Sequence, residues 1–238
     1  MIGETLSRTA LLLGEEAIQR LKGSHVAVFG IGGVGGHVAE ALARSGVGAL
    51  DLFDNDTVSL SNINRQIVAL HSTVGRFKTE VMAERIRDIS PQTVVTEHRC
   101  FFLPENAALY DFSQYDFVVD AVDTVSAKIA IVEKAQAVGV PVISCMGTGN
   151  KLDPSLLQLT DIAKTSGCPL ARVVRRELRA REIEHLQVLY STEPVQPHRM
   201  PATESKGAHP VPGSTAFVPS VAGLMIASEV VRTLATAE

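Results

Sequence analysis

Glycines at four positions of one short stretch could hold a phosphate group. Gly30, Gly32 and Gly35 have the spacing G-x-G-x-x-G, and Gly33 adds another glycine inside it. Glycine permits a tight turn and lets the backbone approach a phosphate without a Cβ in the way. The apolar run at 26–29 predicts a buried strand before the turn, and the run after it predicts a helix whose N-terminus favours an anion. This arrangement indicates a nucleotide-binding turn.

Charged and polar residues follow the second predicted strand, 50–53. Asp54 comes about twenty residues after the glycines, where dinucleotide-type folds place a carboxylate on a ribose hydroxyl. The next candidates along the chain are Asn62, Arg65, Gln66 and Lys78. Arg65 and Lys78 could neutralise a triphosphate. No Gly-Lys-Ser/Thr follows the glycines, which excludes a P-loop, and nothing downstream suggests the acid–base pair of a dehydrogenase.

A pair of aspartates ends the fourth predicted strand, 116–123. Asp123 could hold Mg²⁺, a hard cation that prefers carboxylates and phosphates, whereas Asp120 fits a structural role at the strand end. The carboxyl ends of parallel strands meet at one edge of a sheet, so Gly32, Asp54 and Asp123 are expected to share one crevice. A nucleotide site with cationic and metal-binding groups suits nucleotidyl transfer.

Strands alternate with helical segments along the chain, which predicts an α/β fold. We expect a Rossmann-like, mostly parallel sheet with helices on both faces. Residues 1–150 form a nucleotide-binding domain in this interpretation. Residues 151–238 form a C-terminal α+β extension packed on the same domain, with strands, a basic helix at 169–185, a mobile loop at 194–212 and a final helix at 216–234.

Composition narrows the class of protein. The 238 residues are 45% hydrophobic with a net charge of −4, so a sizeable core is available and no global basic field indicates nucleic acid. Three widely spaced cysteines form no Cys-x-x-Cys pair, which suits a reducing cytosol. The sequence starts with no signal peptide, and the apolar run at 216–234 falls short of a membrane span. A soluble, cytoplasmic protein is expected.

The polar loop carries a family resemblance. The glycine turn, the stretch 54–66, Lys78 and the Asp120–Asp123 pair resemble the adenylating domain of the ubiquitin-activating-enzyme superfamily over about residues 8–150. Within it, the chain is most similar to the tRNA threonylcarbamoyladenosine dehydratases. The stretches that carry this closer resemblance are 78–87, 152–154, 159–165 with 169–170, and 190–193.

The resemblance implies a mechanism. Mg²⁺-ATP is held with the metal at Asp123 and the ribose at Asp54, while Arg65 and Lys78 bind the phosphates near Asn62. Arg8 reaches the triphosphate of the neighbouring subunit of a homodimer. The carboxylate of the threonyl group on tRNA attacks the α-phosphate, and the carbamoyl group then closes a five-membered ring on the acyl-adenylate. The tethered second nucleophile removes the need for a nucleophile from the protein.

Two other functions share the same ATP site. The first is adenylation of the C-terminus of a ubiquitin-like sulfur-carrier protein, although many such enzymes carry Cys-x-x-Cys zinc ligands that are absent here. Some also use a reactive cysteine, a role for which Cys168 is the candidate; a cysteine buried near a helix start is the plainer interpretation. The second is an inactive scaffold, which the charge set at Arg65, Lys78 and Asp123 argues against.

Three further expectations concern partners and ions. The predicted basic helix presents a face that could contact the tRNA backbone, or simply be solvated: Arg172, Arg175, Arg176 and Arg179. Carbonyl groups near Gly147, Gly149 and Lys151 could bind a monovalent cation or only form a turn. A cysteine desulfurase or sulfur acceptor is a further partner that the resemblance suggests in some bacteria.

Overall fold

One seven-stranded sheet runs through the computed structural model, which describes residues 3–200 and 211–236. The strands are β1 (His25–Phe29), β2 (Ala49–Phe53), β3 (Val94–His98), β4 (Phe117–Asp120), β5 (Val142–Cys145), β6 (Leu157–Asp161) and β7 (Gln187–Ser191). Their order is β3-β2-β1-β4-β5-β7-β6. Only β6, which pairs with β7, runs antiparallel among these strands. The predicted mostly parallel sheet is confirmed.

Helices cover both faces of this sheet. In the described residues the α-helices are α1 (Ser7–Leu13), α2 (Glu15–Gly23), α3 (Gly35–Arg44), α4 (Lys78–Ile89), α5 (Val125–Ala137), α6 (Pro169–Arg179) and α7 (Phe217–Thr236). One core contains buried side chains of α2, α3, α4 and α7, and a second contains those of α5 and α6. Since β1, β4 and β5 lie between the two cores, their apolar runs lack polar alternation.

Helix α7 is the most apolar helix of the protein. By length and composition alone it could cross a membrane. It instead packs against α2 and α3, with Val218, Ile226 and Val230 fully buried. A core helix passes the same test of length and hydropathy, and we interpret α7 as one. The prediction that the run at 216–234 falls short of a membrane span is wrong by length and hydropathy, because the helix begins one residue later, ends two residues later and reaches 20 residues.

Residues after 150 extend the sheet. They contribute β6 and β7, and β7 pairs with β5, so the proposed domain division at residue 150 falls within one continuous sheet. The basic helix ends at Arg179, six residues before its predicted end. Its last turn is closed by a Schellman motif, in which Ile183 N donates to Leu178 O at 3.0 Å and Glu182 has φ +62°. No glycine announces this end in the sequence. Part of the predicted loop at 194–212, residues 201–210, lies outside the described residues.

The direction in which successive strands are added to the sheet reverses at the boundary between β1 and β4. From β1 the sheet grows through β2 to β3, and then resumes on the other side of β1 with β4 and β5. In doubly wound sheets such a reversal opens a crevice beyond the carboxyl ends of the strands, where ligands bind. The candidate residues of the sequence analysis lie mainly at this edge.

Candidate nucleotide-binding site

The glycine turn between β1 and α3 divides its glycines between two tasks. Gly30 has φ +87°, and a Cβ there would lie 2.8 Å from the carbonyl oxygen of Ala121. A Cβ at Gly35 would overlap the carbonyl oxygen of Gly30. Around Gly32 the space is open, since the nearest group to a Cβ there would be the Gln66 amide nitrogen at 3.8 Å. Gly30 and Gly35 thus close the turn, whereas Gly32 leaves room for a ligand.

A cavity of about 710 Å³ lies beyond the strand ends. Its walls come from the glycine turn, the loop after β2, the loops after β4 and β5, and the segment at 211–214. The predicted site residues that line it are Gly30, Gly32, Gly33, Asp54, Asn62, Arg65, Gln66, Lys78 and Asp123. Gly35 is buried in the turn and does not line it. Gly32, Asp54 and Asp123, which the sequence analysis places at one edge of the sheet, therefore line one crevice.

Asp54 is fixed at the end of β2 by backbone donors. Its Oδ2 accepts from Ile31 N at 2.7 Å, and its Oδ1 accepts from Asp56 N at 2.8 Å. Burial raises the pKa of Asp54 above its ordinary value, against the opposing effect of the Lys78 charge and these hydrogen bonds. The first bond joins Asp54 to the glycine turn, so the carboxylate is held at the mouth of the turn.

Lys78 lies buried at the first position of α4. Its Nζ donates to Asp56 Oδ2 at 2.6 Å and lies 3.9 Å from Asp54 Oδ2. The backbone supports this position, because Lys78 N donates to the carbonyl oxygen of Asp56 at 3.0 Å and Thr57 pairs with Phe77. A short two-stranded ribbon therefore places the ammonium group beside the carboxylates that line the crevice.

Three polar residues of the loop after β2 differ in how far their side chains are already hydrogen-bonded. Asn62 Oδ1 accepts from Ser59 N at 3.1 Å, within a short helical turn. Arg65 donates from Nη1 to Ser61 O and to Asn64 Oδ1, both at 2.9 Å. Gln66 is buried, yet its Oε1 has no hydrogen-bond partner within the described part of the chain. A buried amide without a partner beside an open glycine fits a site that a polar ligand completes.

Asp123 and Asp120 differ sharply in their surroundings. Asp123 is exposed and lines the crevice, and among the described residues its carboxylate accepts one side-chain hydrogen bond, from the Thr124 hydroxyl at 3.4 Å. Asp120 is fully buried, and its Oδ2 accepts from Lys128 Nζ at 3.0 Å. Asp120 therefore belongs to the interior of the fold, whereas Asp123 lies at the wall of the crevice.

The donor set fits magnesium bound with a nucleotide rather than a metal held by protein alone. Residues 3–200 and 211–236 contain no cluster of three His, Cys, Asp or Glu side chains suited to a metal. Mg²⁺ commonly uses one or two carboxylates together with substrate phosphates and water. Asp123, free at the edge of the crevice, could supply that carboxylate.

The turn after β5 is held by its own side chains. The ammonium of Lys151 donates to the carbonyl oxygen of Glu193, and the Glu193 carboxylate accepts from the backbone of Leu152 and Asp153. Asn150, with φ +56°, accepts from Gly213 N at 2.7 Å and contacts His198 Nε2 at 2.9 Å. These bonds account for the turn, and the monovalent cation near Gly147, Gly149 and Lys151 stays a prediction.

Arg8 lies away from the crevice of its own chain. It is an exposed residue of α1 and does not line the cavity. The adjoining Leu6 packs against Gly46, in the turn before β2 and thus at the amino ends of the strands. A contact between Arg8 and a triphosphate would require a second copy of the chain.

The arginines of α6 do not act alike. Arg175 donates from Nη1 to Thr165 O at 2.8 Å and to Thr165 Oγ1 at 2.6 Å, so it holds the preceding loop. Arg172, Arg176 and Arg179 are exposed. At the other end of α6, Cys168 is buried, and its Sγ accepts from Ala171 N at 3.5 Å. Arg175 and Cys168 thus both have structural tasks.

Sequence reasoning missed two residues near the crevice. Lys128 was not singled out because a lysine inside a helix is usually solvated, and its burial depends on contacts with β4 and β5. Asp56 belonged to the polar loop but had no assigned role, although it is the partner of Lys78. A lysine within an otherwise apolar helix, as in 125–137, is the one signal that could have identified Lys128.

Comparison with known proteins extends the similarity over nearly the whole chain. The model of the ThiF family matches residues 6–238. The tRNA threonylcarbamoyladenosine dehydratase of Bacillus subtilis is 43% identical over 96% of this chain and 93% of its own length. The enzyme of that name from Escherichia coli is 46% identical over 72% of this chain and 64% of its own length.

A solved structure agrees with these relatives. The E. coli tRNA N6-threonylcarbamoyladenosine dehydratase in complex with ATP matches with a TM-score of 0.88 and 36% identity, over 98% of this chain and 96% of that one. The resemblance drawn from the polar loop is thereby confirmed, as is the α/β fold.

Proposed function

The chain belongs to the ThiF family, and we propose that it is an ATP-dependent tRNA threonylcarbamoyladenosine dehydratase. The observation that carries the proposal is the crevice itself, which brings Asp54, Arg65, Gln66, Lys78 and Asp123 to one edge of the sheet. Together with the extensive similarity to dehydratases, one of them solved with ATP, this supports a site for activating a carboxylate.

ATP binds in the crevice with its phosphates toward the glycine turn. Asp54 accepts hydrogen bonds from the ribose hydroxyls, and the open space at Gly32 admits the phosphates near the N-terminus of α3. Lys78 and Arg65 balance the phosphate charge, and Gln66 supplies an amide that otherwise has no partner. Mg²⁺, bound at Asp123, would lower the negative charge on the phosphates.

The reaction has two displacements. The threonyl carboxylate attacks the α-phosphorus of ATP, and pyrophosphate leaves to give an acyl-adenylate. The carbamoyl group of the same nucleoside then attacks the activated carboxyl carbon, which closes a five-membered ring and releases AMP. The oxygen lost from the carboxylate departs with AMP, so the nucleoside loses one water. Lys78 and Arg65 stabilise charge on the departing groups.

The protein works here by positioning. Since the second nucleophile is tethered to the first, holding the two groups together can contribute about 7–11 kcal/mol to lowering the barrier. No side chain is required to form a covalent bond with the substrate. The buried Cys168, already used in capping α6, is not assigned a part.

Mass spectrometry of the nucleoside tests this proposal. Threonylcarbamoyladenosine-containing tRNA is incubated with the protein, ATP and Mg²⁺, and then digested mildly because the cyclic product hydrolyses easily. A nucleoside lighter by one water, absent with Asp123→Asn, is the expected result. An unchanged nucleoside would contradict it, and pyrophosphate exchange stimulated by a small Gly-Gly-ended protein would instead support activation of a sulfur carrier.

Arg8 is proposed to act across a homodimer, in the cytoplasm where tRNA is modified. Because Arg8 belongs to an element remote from its own crevice, Arg8→Ala and Asp123→Asn variants should complement each other when subunits are exchanged. Recovery of turnover in the mixture is the expected result. Two inactive variants that stay inactive after exchange would contradict action in trans. A cysteine desulfurase or sulfur acceptor remains a further proposed partner.

The tRNA backbone is proposed to contact the exposed arginines of α6. Arg176→Glu should weaken tRNA binding and reduce its dependence on salt. Arg232→Glu is the matched control, because Arg232 is exposed to a similar degree, 73% against 75% for Arg176, and also lies near a glutamate. Equal tRNA affinity in both variants would exclude this face.

A further inference from the structure

A fully buried ammonium group lies beneath the crevice. Lys128 Nζ, in the second turn of α5, donates to Asp120 Oδ2 at 3.0 Å, Ser144 Oγ at 3.3 Å and the carbonyl oxygen of Cys145 at 2.6 Å. Three donors thus meet three acceptors. The Ser144 hydroxyl donates in turn to Asp120 Oδ2, and Asp120 Oδ1 accepts from Val122 N at 3.1 Å.

This network joins the elements that form one wall of the crevice. Asp120 ends β4, while Ser144 and Cys145 end β5. Val122 belongs to the loop that carries Asp123, and the far end of that loop is tied by Lys128 N, which donates to Thr124 O at 3.0 Å. Asp123 therefore sits in a four-residue loop. The Lys128 ammonium holds one end of it through Asp120, and a backbone hydrogen bond of the first turn of α5 holds the other.

The glycine turn abuts the same loop. A Cβ at Gly30 would lie 2.8 Å from the carbonyl oxygen of Ala121, and Ala121 N donates to Phe29 O at 2.8 Å. A shift of the loop would therefore change the distance between Asp123 and the phosphate-binding turn. Stability alone explains the buried pair poorly, because its desolvation commonly cancels the attraction between the charges.

We propose that Lys128 is a positioning residue, which acts through Asp120 and Ser144 to hold the Asp123 carboxylate at a fixed distance from the glycine turn. The proposal rests on the proposed role of Asp123 in binding Mg²⁺ with ATP. It concerns the geometry of binding, so it can be tested without turnover.

Calorimetric titration with ATP separates positioning from folding. The dissociation constant is measured in Mg²⁺ and again in EDTA, for the wild type, Lys128→Met, Ser144→Ala and Asp123→Asn. Outer-shell partners of metal ligands typically contribute about 10- to 100-fold. We expect the gain in ATP affinity that Mg²⁺ provides to be about tenfold smaller in Lys128→Met than in the wild type. The ATP affinity in EDTA should be unchanged. Ser144→Ala should lose less, and Asp123→Asn should lose the whole gain.

Thr93→Val is the matched control. Thr93 is also buried at the amino ends of the strands. Its hydroxyl donates to Val47 O at 3.0 Å and lies 2.8 Å from the Ser90 hydroxyl. It should keep the whole Mg²⁺-dependent gain even where its stability falls. If Lys128→Met does not fold, Ser144→Ala decides.

Two results would overturn the positioning role. One is a full Mg²⁺-dependent gain in both network variants while Asp123→Asn loses it. The other is an equal loss of affinity in Mg²⁺ and EDTA, which would make the network purely structural. Failure of the proposed function would give different results. The wild type would bind Mg²⁺-ATP but leave the tRNA nucleoside unchanged, or Asp123→Asn would keep the whole Mg²⁺-dependent gain in ATP affinity.

Discussion

Two buried carboxylates, Asp51 and Asp120, lie on the same face of the sheet, and they are held in different ways. Asp51, on β2, accepts from His25 Nε2 and His98 Nε2 at 2.8 Å and from the Tyr115 hydroxyl at 2.9 Å. Asp120, on β4, pairs with the ammonium of Lys128 and the hydroxyl of Ser144. One carboxylate is surrounded by aromatic donors, and the other by an aliphatic cation.

Position in the sheet explains the difference. Asp51 lies within β2, and its imidazole partners are about a quarter exposed. Burial would raise the pKa of Asp51, but the hydrogen bonds from His25, His98 and Tyr115 outweigh it and hold that pKa well below its usual range. Asp120 lies at a strand end, directly behind the crevice. We therefore infer that the first carboxylate serves stability alone, whereas the second also fixes the geometry of the site.

Breaking the Asp120 pair should have the largest effect on stability. Lys128→Met leaves a buried carboxylate without its cation, so the free energy of unfolding should fall by about 3–5 kcal/mol. Adding Asp120→Leu removes the unpaired charge and should recover much of the loss. Urea unfolding of both variants measures this. A single substitution that costs less than about 1 kcal/mol would show that the pair is not effectively buried.

Asp51→Asn should cost less and should act through pH. Removing the charge weakens three hydrogen bonds, so unfolding should be easier by about 1–3 kcal/mol at neutral pH. Since the folded pKa of Asp51 lies below its unfolded value, its contribution is present above about pH 4 and is lost as the pH falls toward the folded pKa. The variant should therefore show a shallower loss of stability in acid, with ATP affinity unchanged. Identical acid unfolding curves would contradict this assignment.

Gln66 sharpens the comparison, because it is a buried polar group without a partner in the described residues. Gln66→Leu removes no side-chain hydrogen bond within the described residues and replaces an unpaired buried oxygen with apolar atoms, so the free energy of unfolding should not fall. ATP affinity should fall about tenfold, as expected for one lost hydrogen bond to a ligand. Gln187→Leu is the control, since Gln187 donates to Glu229 at 2.8 Å away from the crevice. Unchanged ATP affinity in Gln66→Leu would exclude the amide from the site.

Cys168→Ser should have the smallest effect. Serine is a better N-cap than cysteine, so α6 should keep its start and stability should change by less than about 1 kcal/mol. Dehydration of tRNA should continue at the wild-type rate, measured by formation of the cyclic nucleoside. Loss of turnover in a folded variant would mean that the thiol attacks the adenylate, and the mechanism without a protein nucleophile would be wrong.

The site residues at the strand ends could be predicted from the sequence because the patterns that indicate them are local. The glycine spacing, the apolar runs and Asp54 each depend on neighbours along the chain, and the parallel sheet then brings Gly32, Asp54 and Asp123 to one edge. The same reasoning placed Asp120 in a structural role. These inferences needed only the topology.

The rest depends on contacts between distant segments. Asp51 collects donors from β1, β3 and residue 115, and no spacing in the sequence indicates such a cluster. Arg175 belongs to a basic face by helical spacing, yet it turns back to the carbonyl groups at 162 and 165. Charge pattern gives the composition of a face but not the partner that each side chain finds.

Helix α7 has a consequence for how the chain matures. A Cβ at Gly33 would lie 3.2 Å from Pro219 Cβ, and one at Gly223 would lie 2.5 Å from the carbonyl oxygen of Val34. The glycine turn is among the first elements to be synthesised, whereas α7 follows every strand of the sheet. A nascent chain therefore carries an uncovered turn until α7 has emerged from the ribosome, so the complete ATP crevice, which Pro219 lines, forms only after α7 has been synthesised.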